Sequence, residues 1–244
     1  MALQQPLQQD GYRAAWLQQF RAVSYRHGEW KVFQDFVRVS SCVISNTLDH
    51  HAYPIREQEY LALIQQYSPA EQEKIAKLHA LLYMAYQEQP GQDFLGSMYE
   101  ELRLTSDRLS QYFTPYPAAS VMAAGVLQAY AALPEGEEIH HTDPACGSGV
   151  MLIALFNHCQ EQRIPASQLL LQGQDLDPVV ARMCYIQLSM LRCAAVISIG
   201  DSQTGACGLH SAGEKWLTPE YLGSAWLARR QQRGWLTIER RIQA

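Results

Sequence analysis

The sequence predicts an α/β protein, in which an N-terminal helical region precedes an incomplete, doubly wound sheet of parallel strands. Three observations lead to this prediction. Apolar residues recur at helical spacing through roughly the first hundred residues. Further along, short apolar runs typical of strands alternate with helical patterns, which is the order of a parallel sheet. A glycine-rich turn follows the first of these strands and opens its helix.

Length and composition are those of a folded globular protein. The 244 residues include 48% hydrophobic and 18% charged side chains, which excludes general disorder, collagen and coiled coils. We divide the chain into a helical region (1–107), an α/β core (108–202) and a short basic segment (203–244). Because the net charge is −5, any contact with DNA would need a local basic patch.

Two helices are readable in the first region. One follows from the helical spacing of Trp30, Phe33, Phe36 and Val37. The second begins at Ser68, which can cap the helix, with Pro69 in its first turn and Glu71 completing a capping box. The Pro90–Gly91 pair ends it. We expect the apolar residues of both helices to form core.

The α/β core reads as alternating strands and helices. A helix follows Pro117, and a short strand runs into Asp143. The later elements are a helix at 150–159, a strand at 168–172 that ends at Asp175, a helix at 178–191 and a strand at 194–199. The last segment has helix potential from Pro219 onward and carries six basic and three acidic residues.

The segment that indicates chemistry is the turn at 143–149, Asp-Pro-Ala-Cys-Gly-Ser-Gly. Glycines allow a tight turn and a close approach of backbone to a ligand, and the N–H groups of the following helix can meet an anionic group. A Walker loop is excluded because Gly-Lys-Ser/Thr is absent. The dinucleotide fingerprint also fails, since Leu152 stands where its third glycine is needed.

An acidic residue followed by two glycines is similar to the S-adenosylmethionine loop. The turn resembles the first motif of the adenine-specific DNA methyltransferases, above all the modification subunits of type I restriction systems. Further segments resemble that family's motifs in its own order: Asp93–Gly96 with Tyr99–Glu100, Gln111–Pro115, Gly173–Pro178 and Gly200–Ser202. The resemblance covers about 93–202 and implies a Rossmann-like S-adenosylmethionine-dependent methyltransferase fold.

The resemblance also implies roles for single residues in binding S-adenosylmethionine. Thr114 and the adjacent Pro115 would hold the amino-acid end of the cofactor. Its methionine and ribose portion would be lined by Asp143, Ala145, Gly147 and Gly149. Asp175 would accept the ribose hydroxyls, Leu176 would pack on the adenine and Asp201 would accept from the adenine amino group. Simpler interpretations are helix caps for Asp143 and Asp175, and a turn residue for Asp201.

The family's catalytic motif, Asn or Asp followed by Pro-Pro and an aromatic residue, is missing. The 244 residues contain no Pro-Pro, and the nearest candidate is Thr218–Tyr221, Thr-Pro-Glu-Tyr. The 43 residues after Asp201 are too few for the remaining strands of a seven-stranded sheet. A degenerate protein, a fragment and a divergent enzyme each explain this. The leading function is a DNA methyltransferase-like protein, and the alternatives are a non-catalytic regulatory protein and a small-molecule methyltransferase.

Partners and location follow from these interpretations. DNA is the expected partner, with a second protein subunit or a further copy of the chain as another. The arginines from Arg229 to Arg241, with Trp226 and Trp235, could bind phosphate and stack on bases, although a solvated helix face is favoured. The start lacks the pattern of a signal peptide, and 118–133 is too short to span a membrane, so we expect a soluble, cytoplasmic protein.

No metal site is expected. The six cysteines show no Cys-x-x-Cys spacing and are interpreted as free thiols, with Cys146 as a packing residue. The pairs His50–His51 and His140–His141 are adjacent in sequence, so their side chains should point to different sides and not share one ion.

Overall fold

A computed structural model of the protein describes residues 9–104, 114–130, 137–203, 208–223, 226 and 228. Its helices are α1 (Gln9–His27), α2 (Glu29–Ser45), α3 (Tyr53–Ile64), α4 (Pro69–Glu88), α5 (Phe94–Glu101), α6 (Tyr116–Tyr130), α7 (Val150–Glu161), α8 (Pro178–Met190) and α9 (Pro219–Gly223). Its strands are β1 (Ile139–Asp143), β2 (Leu169–Asp175), β3 (Ala195–Ile199) and β4 (Glu214–Leu217).

The two helices predicted in the first region are confirmed. Phe33, Phe36 and Val37 are fully buried on α2. Trp30, in the first turn of this helix, is 42% exposed, so its expected place in the core is wrong. At the start of α4 the Glu71 carboxylate accepts from the backbone N–H of Ser68 at 2.9 Å and from its hydroxyl at 2.7 Å. These hydrogen bonds from Ser68 lower the pKa of Glu71 to about 2. The helix ends at Glu88, just before the predicted Pro90–Gly91 stop.

The sheet has the strand order β1-β2-β3-β4, with the first three strands parallel, as predicted. Asp143 lies opposite Gly173, and Asp175 lies opposite Ile199. The carboxyl ends of β1, β2 and β3 therefore share one edge of the sheet, where ligands bind in open α/β folds.

The two faces of the sheet are covered unequally. Both crossover helices, α7 and α8, belong to the large hydrophobic cluster that includes Leu171 and Ile197. The opposite face, marked by Leu170 and Val196, carries a smaller cluster with Tyr221 and other residues near α9. The predicted α/β fold is thus confirmed, but within the described residues the helices cover mainly one face, whereas a complete doubly wound sheet carries them on both.

One strand is absent from the sequence prediction. β4 pairs antiparallel with β3, so that Trp216 lies opposite Ile197 and is fully buried. Its indole packs against two guanidinium groups, with Arg56 at 4.0 Å and Arg182 at 4.4 Å from the ring centroid. Cation–π contacts of this kind stabilise desolvated arginines. β4 thus connects the sheet to α3 and α8.

The helical region and the sheet share a continuous core. One hydrophobic cluster extends from Tyr12 in α1 to Trp216 in β4, and α2 packs directly on α8. The predicted boundary at 107/108 falls outside the described residues, and the division into three stretches stays a prediction. None of the helices in the described part of the chain is long and apolar enough to cross a membrane.

Candidate functional site

The glycine loop lies between β1 and α7 and depends on backbone geometry that favours glycine. Gly147 has a φ of 55° and Gly149 a φ of 100°, values that other residues rarely adopt. A Cβ on Gly149 would lie 2.7 Å from the Sγ atom of Cys184. The loop therefore packs tightly on α8, and Gly149 is required by both conformation and space, whereas Arg103, Arg163 and Arg192 also adopt a φ close to that of Gly147.

Two carboxylates flank this loop at neighbouring strand ends. Asp143 Oδ1 accepts from the N–H of Ala145 at 3.1 Å. Asp175 accepts from the N–H of Gly147 at 3.0 Å through Oδ2, and from the N–H of Asp177 at 3.0 Å through Oδ1. The structure thus brings Asp143, Ala145, Gly147 and Asp175 together at the carboxyl edge of the sheet.

Helix capping does not account for either carboxylate. The residue that caps α8 is Asp177, whose side chain accepts from the N–H of Val179 at 2.8 Å. The N-cap position of α7 is occupied by Gly149 and not by Asp143. The simpler interpretation of Asp143 and Asp175 as caps is therefore wrong.

The electrostatics of this edge are unbalanced. Burial raises the pKa of Asp143, although the N–H of Ala145 opposes the shift. Burial also raises the pKa of Asp175, and the like charges of Asp177 and Asp143 add to it. Among the described residues, no cationic nitrogen lies within 4.0 Å of either carboxylate. A cationic ligand group would relieve the repulsion between them.

Leu176 and Asp201 lie beside these carboxylates in the chain. The Leu176 side chain follows Asp175 directly and is 62% exposed, which leaves an apolar surface near the strand end. Asp201 Oδ1 accepts from the N–H of Gln203 at 2.9 Å, the geometry of a turn-forming aspartate. A cofactor role for each stays a prediction.

Thr114 and Pro115 lie just ahead of α6. Thr114 is half-buried and Pro115 is exposed. The next residue, Tyr116, accepts a hydrogen bond from Nδ2 of Asn157 at 3.0 Å, which joins this end of α6 to the second half of α7. Among the hydrogen bonds between described residues, none joins Thr114 or Pro115 to the glycine loop, and their cofactor roles stay predictions.

Other candidate residues prove to be structural. Tyr221 is 1% exposed and Trp226 is 4% exposed, so neither ring is available to stack on a base. The hydroxyl of Thr218 bonds to backbone groups of β3 and its approach. The Thr-Pro-Glu-Tyr candidate at 218–221 is thus part of the core. The arginines at 229–241 lie outside the described residues.

Cys146, His140 and His141 each have a structural environment that can be compared with its predicted role. The thiol of Cys146 is buried, and a hydrogen bond with Cys184, together with burial, raises its pKa. Such a thiol packs and does not react. His141 bonds to the hydroxyl of Tyr130, whereas the ring of His140 meets Trp226 in the smaller cluster. The described residues contain no group of three or more metal-ligand side chains.

Sequence reasoning assigned no role to Asp93 and Gln187, which bind the loop residue Ser148 through hydrogen bonds. The hydroxyl of Ser148 donates to the buried carboxylate of Asp93, and the side chain of Gln187 bonds to both residues. The Asp93–Gly96 spacing was the one available signal, because it carries a family motif without an evident role. Gln187 gives no signal, since it is one of three scattered polar residues, with Arg182 and Ser189, in a mostly apolar helix.

Comparison with known proteins gives a family match to part of the chain. Residues 90–205, slightly less than half of the protein, match the family described as N-6 DNA Methylase. No curated protein matches the chain.

Two solved structures are similar at low identity. One is a class I S-adenosylmethionine-dependent methyltransferase from Listeria monocytogenes, with 16% identity, a TM-score of 0.30, and coverage of 67% of this chain and 51% of that one. The other is the type I restriction-modification system methyltransferase subunit from Streptococcus thermophilus, with 12% identity, a TM-score of 0.36, and coverage of 77% and 57%. The match spans little more than half of each solved chain.

The matched range contains the glycine loop, both flanking carboxylates and the segment around Asp93. It also coincides closely with the segment in which the sequence motifs occur. The predicted resemblance to the adenine-specific DNA methyltransferases is therefore confirmed for residues 90–205.

Proposed function

We propose that the carboxyl edge of β1, β2 and β3 binds S-adenosylmethionine, and that the chain supplies the cofactor-binding part of an adenine-specific DNA methyltransferase. One observation carries the proposal. Two partly buried carboxylates without a cationic partner within 4.0 Å among the described residues flank a glycine loop at adjacent strand ends. S-adenosylmethionine has the complementary chemistry, since it carries an ammonium, a sulfonium, a ribose diol and an adenine ring.

The residues of the edge fit this ligand. Asp143 suits the cationic methionine end. Each oxygen of Asp175 receives one backbone hydrogen bond and keeps a second lone pair for a ribose hydroxyl. Leu176 offers an exposed apolar surface to the adenine, and Asp201 would accept from its amino group. Thr114 and Pro115 would hold the amino-acid end. The bound cofactor supplies the methyl group, and this chain's residues orient it.

The target base needs acceptors that the described residues do not supply. Adenine methylation requires groups that accept from the target amino nitrogen and stack on the extruded base. No Pro-Pro occurs in the sequence, and Tyr221 is buried. Because residues 90–205 match a DNA methylase family, we assign DNA as the substrate of the complete activity, with a second protein subunit supplying the missing acceptors. A further copy of the chain is the other predicted partner, but it would carry the same sequence without the motif. A protein that works on DNA in this way would act in the cytoplasm.

A second candidate is a non-catalytic, cofactor-binding regulatory protein. The same observation favours it, because the cofactor edge is intact while the Asn/Asp-Pro-Pro-aromatic motif is absent from the 244 residues. The two candidates share the cofactor site and differ only in turnover.

Calorimetric titration followed by a methyl-transfer assay tests the proposal. We expect the purified chain to bind S-adenosylmethionine and S-adenosylhomocysteine at one site, and not to bind ATP. Absence of binding by both sulfur ligands would reject the cofactor assignment. Transfer of a tritiated methyl group to DNA, with and without candidate partner subunits, then separates the enzyme from the regulatory protein.

A further inference from the structure

Asp93 is a buried carboxylate whose partners lie on three parts of the chain. Its Oδ1 accepts from the N–H of Gly96 at 2.9 Å, which caps α5, and from Nε2 of Gln187 in α8 at 2.8 Å. Its Oδ2 accepts from the hydroxyl of Ser148 in the glycine loop. The start of α5, the last turn of α8 and the loop thus meet at a residue that is 6% exposed.

Gln187 adds further hydrogen bonds to this arrangement. It is fully buried, and its Nε2 also donates to the carbonyl oxygen of Ser148 at 2.8 Å. Its Oε1 accepts from the N–H of Leu95 at 2.8 Å and from the hydroxyl of Tyr86. Ser148 is therefore held through its side chain and its carbonyl group by two residues that lie outside the loop.

The fit between α5 and the loop leaves no space for another atom. A Cβ on Gly96 would lie 2.0 Å from Oδ2 of Asp93 and 2.6 Å from Oγ of Ser148. The backbone of α5 therefore abuts the Asp93–Ser148 hydrogen bond directly. This contact gives the Asp-x-x-Gly spacing of 93–96 a physical reason: the aspartate binds the loop and the glycine makes room for it.

We propose that Asp93 and Gln187 are positioning residues that fix the glycine loop through Ser148 and thereby set the affinity for the cofactor. The inference rests on the proposed function, because the loop is the predicted cofactor loop. Ser148 is fully buried and lies between two glycines at positive φ, whose backbone is otherwise unusually free. Releasing Ser148 would leave the buried Asp93 carboxylate without one of its donors, which opposes other loop conformations.

The test compares two loop variants with a matched control. Ser148→Ala removes only the loop hydroxyl, and Asp93→Asn keeps a residue that caps helices well. Ser41→Ala is the control, because Ser41 is also fully buried and its hydroxyl bonds to the carbonyl oxygen of Arg38, in α2. Each variant is measured for thermal unfolding, for S-adenosylhomocysteine affinity by calorimetry, and for hydrogen exchange of the peptide that covers 144–149.

We expect Ser148→Ala to bind S-adenosylhomocysteine about tenfold more weakly than wild type and to exchange faster at 144–149 without ligand. Asp93→Asn should show the same changes to a smaller extent. Ser41→Ala should lose comparable stability with unchanged affinity and unchanged exchange at the loop.

Two negative outcomes are distinguishable. If wild type binds the ligand, and Ser148→Ala binds equally well with unchanged exchange at the loop, the positioning inference is wrong and the proposed function stands. If wild type does not bind the ligand at all, the proposed function fails and the inferred effect on affinity fails with it. Faster exchange in all three variants, including Ser41→Ala, would show a general loss of stability and overturn the inference.

Discussion

Gly147 combines a positive φ with a backbone N–H that donates to Asp175, so both its conformation and its amide belong to the candidate site. A β-branched residue is strongly disfavoured at a φ of 55°. We expect Gly147→Val to shift the loop and abolish detectable binding of S-adenosylhomocysteine in a calorimetric titration.

Gly28 offers a matched control for this change. It has a φ of 85° between α1 and α2, with open space where a Cβ would lie. Gly28→Val should therefore destabilise the fold through the same type of backbone strain but leave ligand affinity unchanged. Equal binding by wild type and Gly147→Val would show that this loop does not contact the ligand.

Asp175 is the residue whose side chain should contribute most directly to ligand affinity. Asp175→Ala removes the acceptor assigned to the ribose hydroxyls, and hydrogen bonds to a charged group contribute about 1.5–3 kcal/mol each. We expect the dissociation constant for S-adenosylhomocysteine to rise at least tenfold. Asp177→Ala is the comparison, because Asp177 caps α8 and its loss should lower stability while leaving affinity nearly unchanged. The reverse pattern would rule out the ribose role.

The raised pKa values of Asp143 and Asp175 predict a pH dependence of binding. Both carboxyl groups hold their protons to a higher pH than usual because burial disfavours the charged form. A cationic ligand binds the ionised form, so affinity for S-adenosylmethionine should fall as the pH is lowered through these raised values. Calorimetry at stepped pH, in two buffers of different ionisation enthalpy, should also detect proton release on binding. An affinity that stays constant while the carboxyl groups titrate would contradict this electrostatic role.

Among the secondary-structure elements, α3 is joined to α2 and α8 by ion pairs of Glu59. Its carboxylate accepts from Arg38 at 2.7 Å and from Arg182 at 2.8 Å. Burial raises the pKa of Glu59, but the hydrogen bonds from the two arginines outweigh burial and lower it overall. A lowered carboxyl pKa stabilises the fold above the unfolded-state value and is lost as pH falls through the folded-state value.

We expect Glu59→Gln to lower the free energy of unfolding at neutral pH by about 1–3 kcal/mol, since it leaves two arginines without their carboxylate. The difference from wild type should shrink below pH 4.5, the ordinary carboxyl value, as wild type loses the same contribution. Urea unfolding at several pH values measures this difference in the free energy of unfolding. Glu73→Gln, at an exposed position of α4, should show almost no effect. A pH-independent difference would mean that the charge of Glu59 is unimportant.

The predictable elements were those with local signals. Ser68 and Glu71 marked the start of α4, and apolar runs marked β2 and β3, because capping and burial leave traces within a few residues. β4 was missed because Glu-Lys-Trp-Leu has no such pattern, and the groups it contacts, namely β3, Arg56 and Arg182, are distant in sequence. Asp93 and Gln187 are 94 residues apart, so their contact could not be read from spacing.

For the whole molecule, we expect cofactor binding without catalytic turnover. We expect the purified chain by itself to show little or no adenine methylation, because no identified residues accept from the target amino group. Cofactor affinity alone cannot lower the barrier from the bound state. A tritiated-methyl assay on plasmid DNA measures it. Robust activity that depends on Gly147 but not on Tyr221 would reveal an unrecognised catalytic site, whereas activity only with a second protein would indicate a divided enzyme.

The hydrogen bond from the N–H of Gly147 to Asp175 also bears on the speed of ligand capture. Hydrogen bonds to Asp175 and, through Ser148, to Asp93 hold the loop in its positive-φ conformation. If these hydrogen bonds fix the loop, binding should require no rearrangement of it. In stopped-flow mixing, the observed rate should therefore rise linearly with ligand concentration and show a single exponential phase. A plateau of the observed rate at high ligand concentration would instead indicate a slow conformational step that limits binding.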